Sequence, residues 1–225
     1  MEVIYEDNHI IIINKAPSEI VQGDKTGDEP LSDKVKKYLK EKYNKPGNVF
    51  CGVTHRLDRP TSGVVVFAKT SKALSRLNDM FRKGEIDKTY WAIVKELPQN
   101  TEGTLIHYLE KNEKTNKSTA YDKEKPGSKK AQLHYKLIAK SDNYYLLEIN
   151  LETGRHHQIR CQLAKIGSPI KGDLKYGAPR SNPDGSISLH ARHISFIHPV
   201  SKEKIEITAA CPNDALWQSF ENQLK

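Results

Sequence analysis

Asp58 stands in the stretch HRLDRPTSG, residues 55–63, which runs directly into the apolar VVVFA of residues 64–68. A carboxylate placed there can attack an electrophilic carbon, take a proton or stabilise developing positive charge. Pro60 fixes its own φ and pushes Arg59 toward extended geometry, and Gly63 removes a Cβ where the chain enters the apolar run, so the acid sits on a turn that can aim it. The same residues also make a good solvated turn, and the stretch alone does not separate the two readings. Residues 151–177, LETGRHHQIRCQLAKIGSPIKGDLKYG, carry a second set of chemistry-bearing side chains. Arg160 there keeps its charge in a closed pocket and can grip a carboxylate with two donors, although an arginine on a helix otherwise forms a surface ion pair. Asp173, between Gly172 and Gly177, reads as a loop brace. His190, His193 and His198 cluster near the C-terminus, but on a strand His193 faces away from the other two, so a metal site is not expected.

The elements that must position these groups follow from periodicity. Residues 3–5 and 10–14 bracket Glu6-Asp7-Asn8 as a hairpin. Residues 31–43 place Val35, Leu39 and Tyr43 at helical spacing, with Ser32 as the expected cap. The continuous apolar run at 64–68 suits a central strand covered on both faces. Residues 71–83 put Ala73, Leu74, Leu77 and Phe81 on one helix face before Gly84, a helix stop. Strands are predicted at 88–95, 104–109, 132–139, 144–151, 188–196 and 204–208. Helices are predicted at 156–165 and 214–223. On the strand at 88–95, Tyr90, Ala92 and Val94 share one face, so Trp91 belongs to the packed side. Residues 111–130, KNEKTNKSTAYDKEKPGSKK, read as a mobile connection. Many hairpin-like strands with a few helices give an α+β fold with a mixed, mainly antiparallel sheet and flanking helices.

Composition bounds the partners. The 225 residues can bury a core as one domain, 1–225, and mean hydropathy is −0.69. No apolar run reaches membrane-span length, and the opening MEVIYEDNH lacks a basic region followed by an apolar core, so a cytoplasmic address without membrane association is expected. Cys51, Cys161 and Cys211 are odd in number, with no C-x-x-C pair, and read as buried or half-buried thiols. The net charge is +8 with pI near 9.2. Residues 1–50 hold eight basic against nine acidic side chains, while residues 51–100 hold nine against five and residues 151–225 ten against seven. The positive excess thus lies where Asp58 and Arg160 lie, and it favours a polyanionic partner.

Six ordered stretches taken together resemble the RluA-type RNA pseudouridine synthase family. They are NKAP at 14–17, HRLD-x-x-TSG, KTYWAIV at 88–94, TGRHHQIR-x-QL, GSPIKGD-x-x-YG and LHARHISFIHP at 189–199. The opening departs from the family, since NKAPSEIVQG stands where a more compact NKP-x-G is usual. The resemblance implies a long bent sheet with an RNA cleft, and a catalytic domain over 1–225 without the separate N-terminal RNA-binding module of many relatives. It makes Asp58 the catalytic carboxylate, with Arg160 as its partner and Tyr90 as the ring against the target uracil. It also lets Arg56 slide into the RNA stack as the uridine leaves. An isolated strand tyrosine would otherwise be core. For His55, RNA contact and structural hydrogen bonding stand equal. Arg155 meets phosphate or braces its turn, and Ile159 lines the base pocket or is core. Breaking the bond from ribose C1′ to the base and rejoining the base through its C5 only rearranges atoms, so no cofactor is expected. The implied partner is an rRNA or tRNA stem-loop, not DNA, and the implied state is a monomer. Two rivals are weaker. A non-catalytic RNA-binding or ribosome-assembly factor should have decayed at Asp58, Tyr90 or Arg160, and a glycoside hydrolase wants a second carboxylate in a motif.

Overall fold

Four consecutive isoleucines, Ile10 to Ile13, are fully buried, and so are Val65, Val66, Phe67 and Ala68 on the strand beside them. Residues apolar at every position rather than every second one are buried on both sheet faces, and these two strands are the centre of the first half of the molecule. The computed structural model describes residues 1–225, and the elements run in this order: β1 (Glu2–Glu6), β2 (Ile10–Lys15), α1 (Leu31–Lys42), β3 (Gly52–Val53), β4 (Ser62–Ala68), α2 (Ser71–Lys83), β5 (Asp87–Val94), β6 (Glu102–Asn112), β7 (Lys117–Tyr121), β8 (Lys129–Lys140), β9 (Tyr145–Leu151), α3 (Gln158–Lys165), a 3-10 turn (Leu174–Tyr176), β10 (Leu189–Ile197), β11 (Lys204–Thr208) and α4 (Ala215–Gln223). The fold is α+β, and every pairing with a described register is antiparallel.

The chain forms two compact units. One comprises Met1–Ile86 and Ala191–Ala210, the other Asp87–His190 and Cys211–Lys225. In the first, the strand order is β1-β2-β4-β10, with β11 on β10 and the two-residue β3 on β4. Ile10, Ile12, Val64, Val66, Ile194 and Phe196 pack with Ala73 and Leu77 of α2. Removing each such side chain from water contributes about 1.5–3 kcal/mol for the larger ones. Thr70 caps α2 by accepting the Ala73 N–H, and Gly84 ends it at φ 73°. Gly63 is obligatory: its φ is +112°, and a Cβ would lie 2.3 Å from the Ala191 carbonyl oxygen.

In the second unit the order is β5-β9-β8-β6-β7. Trp91 and Ile93 of β5 pack with Leu146, Trp217 and Phe220, so α4 covers that face and Trp91 is core as its alternation predicts. Cys161 of α3 packs with Leu109, Ala120, Ala131 and Tyr176. Two expectations are corrected. Residues 111–130 are not a mobile connection: they hold the end of β6, all of β7 and the start of β8. The first residue before α1 is Pro30, whose carbonyl accepts the Asp33 and Lys34 N–H groups, while Ser32 lies buried inside the helix and caps nothing. A preset proline φ makes this entry without a side-chain cap. The three cysteines are free, two buried and Cys51 half-buried.

Candidate active site

In the first unit, the segment before β4 is laced to β4 itself. Thr54 Oγ1 donates to the Val66 carbonyl at 2.6 Å, and His55 Nε2 accepts the Val66 N–H at 3.0 Å while its ring tilts against Phe81. Leu57 is buried and Arg56 is exposed, so the segment is rooted on alternate residues. Asp58 follows, half-buried, and the Thr61 N–H closes the turn on its carbonyl at 3.0 Å. Arg59 is drawn aside: its guanidinium binds Asp28 at 2.6 Å, Asp24 at 3.3 Å and Thr26 Oγ1 at 2.7 Å.

Beneath this turn lies a group whose role the sequence reading did not assign. Lys15, the lysine of NKAP, is fully buried, and its ammonium donates to the carbonyls of Arg59 at 3.0 Å and Ala16 at 2.9 Å. The Ser18 N–H reaches the same Arg59 carbonyl at 2.9 Å. Burial lowers the Lys15 pKa to about 8, opposed by the negative charges of Glu19 and Asp58 and reinforced by Arg59. The sequence signal was present, since a lysine closing an isoleucine strand must bury its charge or bend it back to the backbone.

In the second unit, β5 carries Tyr90, largely buried and opposite Ile149 of β9. The TGRHHQ turn is fixed by Gln158, whose Oε1 accepts from Thr153 Oγ1 at 2.8 Å and the Arg155 N–H at 2.9 Å. Its Nε2 donates to the Gln132 carbonyl at 3.0 Å. Arg155 Nε donates to the Lys130 carbonyl at 3.0 Å. His157, at φ 51°, precedes α3. Burial, then the Arg160 charge, lowers its pKa to about 2, so the ring is neutral. The Ser118 N–H donates to Tyr176 Oη at 2.8 Å, and Tyr176 Oη lies 2.9 Å from His157 Nδ1. Ile159 is 4% exposed, buried as a core residue would be.

Arg160 is buried on α3 and makes a two-donor grip on Asp173. Nε lies 2.7 Å from Oδ2 and Nη2 lies 2.8 Å from Oδ1. Asp173 is thus corrected from a loop brace to the carboxylate that holds Arg160. Fork-on-fork geometry suits two planar ions that burial has stripped of water. Among the histidines, His198 accepts the Val200 and Ser201 N–H groups on Nδ1 and sets Nε2 2.8 Å from Asp7 Oδ2. His190 lies against Trp217. Of the expected site residues, Asp58, His55 and Arg56 therefore share one segment of the first unit, whereas Tyr90, Arg155, Ile159 and Arg160 belong to the second.

Residues 9–165, which contain Asp58, Tyr90 and Arg160, match the family described as RNA pseudouridylate synthase. An uncharacterised RNA pseudouridine synthase of Synechocystis sp. is 33% identical over 216 residues, covering 94% of this chain and 66% of that one. The ribosomal large subunit pseudouridine synthase D of Zymomonas mobilis is 32% identical, covering 95% of this chain and 70% of its own. The tRNA pseudouridine synthase C of Vibrio parahaemolyticus is 31% identical, covering 98% and 93%. The chain thus spans 66% and 70% of the first two relatives and nearly all of the third. The structure of human RNA pseudouridylate synthase domain containing 4 superposes with a TM-score of 0.79 at 21% identity, over 99% of this chain and 92% of that one, a likeness of fold. A family match across most of the chain, with relatives more than 30% identical along nearly all of it, shows that this chain belongs to the RNA pseudouridylate synthase family, of the RluA type, a family of isomerases.

Proposed function

We propose that this protein converts specific uridines of a structured ribosomal or transfer RNA to pseudouridine, with Asp58 as the catalytic carboxylate. The observation that carries the reading is the Asp58 turn itself, a half-buried acid whose backbone is pinned from below by a fully buried lysine ammonium. Leaving of the base gives ribose C1′ cationic character, and an aimed carboxylate serves there either by attacking C1′ or by removing a sugar proton. Tyr90 supplies a ring for the uracil, and base stacking of this kind contributes about 1–3 kcal/mol. Arg160 supplies a fixed positive charge, and the exposed Arg56 is suited to fill the gap left by an everted nucleotide. The excess of basic over acidic side chains supports a phosphate-bearing partner, and two relatives bear the names of ribosomal and tRNA enzymes. No helix is long and apolar enough to cross a membrane.

Chemical mapping of pseudouridine in total RNA, from cells with and without the protein, tests the reading, and a loss at defined uridines is the expected result. Re-expression of Asp58→Asn should bind the RNA but form product at least about 1,000-fold more slowly, the scale of a lost catalytic carboxylate. Unchanged maps would overturn the function, and full activity in the variant would remove Asp58 from it.

A further inference from the structure

We propose that Asp173 is a positioning residue for the reaction, holding the guanidinium of Arg160 in its working orientation, an inference that rests on the function proposed above. An arginine side chain has several rotatable bonds, and freezing them costs about 2 kcal/mol of entropy unless the geometry is imposed from outside. Here it is imposed. The two parallel bonds at 2.7 and 2.8 Å fix both the plane and the rotation of the guanidinium. Asp173 itself is 1% exposed, so water does not compete for it.

The carboxylate is in turn held by a tight loop. Gly172 sits at φ +88°, and a Cβ on it would lie 2.8 Å from the Ser186 carbonyl oxygen and from Asn182. The Asp173 N–H bonds to the Ile170 carbonyl at 3.0 Å, while the Asp173 carbonyl accepts the N–H groups of Tyr176 and Ala178 at 3.1 and 3.0 Å. The Tyr176 ring then lies 5.1 Å from the guanidinium carbon, with its hydroxyl fixed by Ser118 and His157. GSPIKGDLKYG is therefore a device that fixes one arginine: glycine for the turn, aspartate for the grip, tyrosine for the wall.

A merely structural ion pair would affect stability and nothing else, so the test must read more than folding. Product formation is followed under single-turnover conditions on total RNA from cells lacking the protein, at the uridine that the mapping identifies. Asp173→Asn should lower the maximal rate about 10- to 100-fold and leave the half-saturating enzyme concentration within about 2-fold. In an Arg160→Met background the same substitution should cost nothing further, because its effect passes through Arg160. Independently of activity, the Arg160 Nε–H signal in a side-chain nitrogen–proton spectrum should be shielded from exchange in the wild type and lose that protection in Asp173→Asn, with the other arginine signals unchanged. If Asp173→Asn does not fold, Asp173→Glu carries the same measurements. An Asp173 variant with a lowered melting temperature but wild-type rate and an unchanged Arg160 signal overturns the proposal, as do additive losses in the double variant. A wild type forming no product on this RNA would instead overturn the function on which it rests.

Discussion

Lys15 shows how one buried side chain can hold a turn of the backbone. Its folded pKa of about 8 lies below the unfolded value of 10.5, chiefly through burial. Between those two values the unfolded chain binds more protons than the folded one, so this site makes stability rise with pH across the window from about 8 to 10.5. Below pH 8 the buried charge costs about 3 kcal/mol net relative to an exposed lysine. The expected result is that the difference in urea midpoint between the wild type and Lys15→Met grows in favour of the wild type from pH 7.5 to 10. A difference that stays flat would mean that Lys15 titrates as an ordinary lysine. The same ammonium fixes the Arg59 carbonyl, one residue beyond Asp58, and so ties down the backbone of that turn.

At the scale of elements, Glu6 joins three of them. From the end of β1 its carboxylate meets Lys42 and Tyr38 of α1, Tyr43 just beyond that helix, and Lys69 at the exit of β4, with bonds between 2.7 and 3.0 Å. Burial pushes its pKa up, but the hydrogen bonds from Lys42, Lys69, Tyr43 and Tyr38 outweigh it and bring the value to about 2, against 4.5 for an ordinary glutamate. A depressed carboxylate stabilises the fold fully above pH 4.5 and loses that contribution as pH falls toward 2. Its contribution is about 3 kcal/mol at most, reduced by screening because Lys42 stays 43% exposed. Glu6→Gln should lower stability at pH 7 and flatten the acid limb of a denaturation series between pH 4.5 and 2. A variant with an unaltered acid limb would show that Glu6 does not hold α1 to the strands.

For the molecule as a whole, the net charge of +8 makes RNA affinity a matter of counterion release. If about four phosphates of an unpaired strand are neutralised, affinity should fall roughly 50-fold between about 50 and 200 mM salt. A filter-binding titration across that range checks it, and an affinity indifferent to salt would remove the phosphate contacts. The charge also explains why the first 50 residues are less suited to this role, having nine acids against eight bases, several of them paired with each other as in Glu6 with Lys42 and Lys34 with Glu19.

The sequence by itself determined the elements whose burial is written as a repeat: the isoleucine strand, the valine strand, α2 with its glycine stop, and Trp91 turned to the core opposite Tyr90. It also carried the family, because ordered motifs report chemistry that must stay fixed in the chain. Strand β7 escaped, since its inward side chains are Ser118 and Ala120, small groups that leave no hydrophobic alternation among the lysines. Tertiary structure alone decided the partners of buried charges. Arg160 meets Asp173 thirteen residues away where the loop between them turns at the positive-φ Gly167 and Gly172, and Lys15 meets the Arg59 carbonyl across forty-four residues. Sequence periodicity records which face of an element is dry. It does not record which ion lies across the space that face encloses, because that depends on the path of the backbone between them.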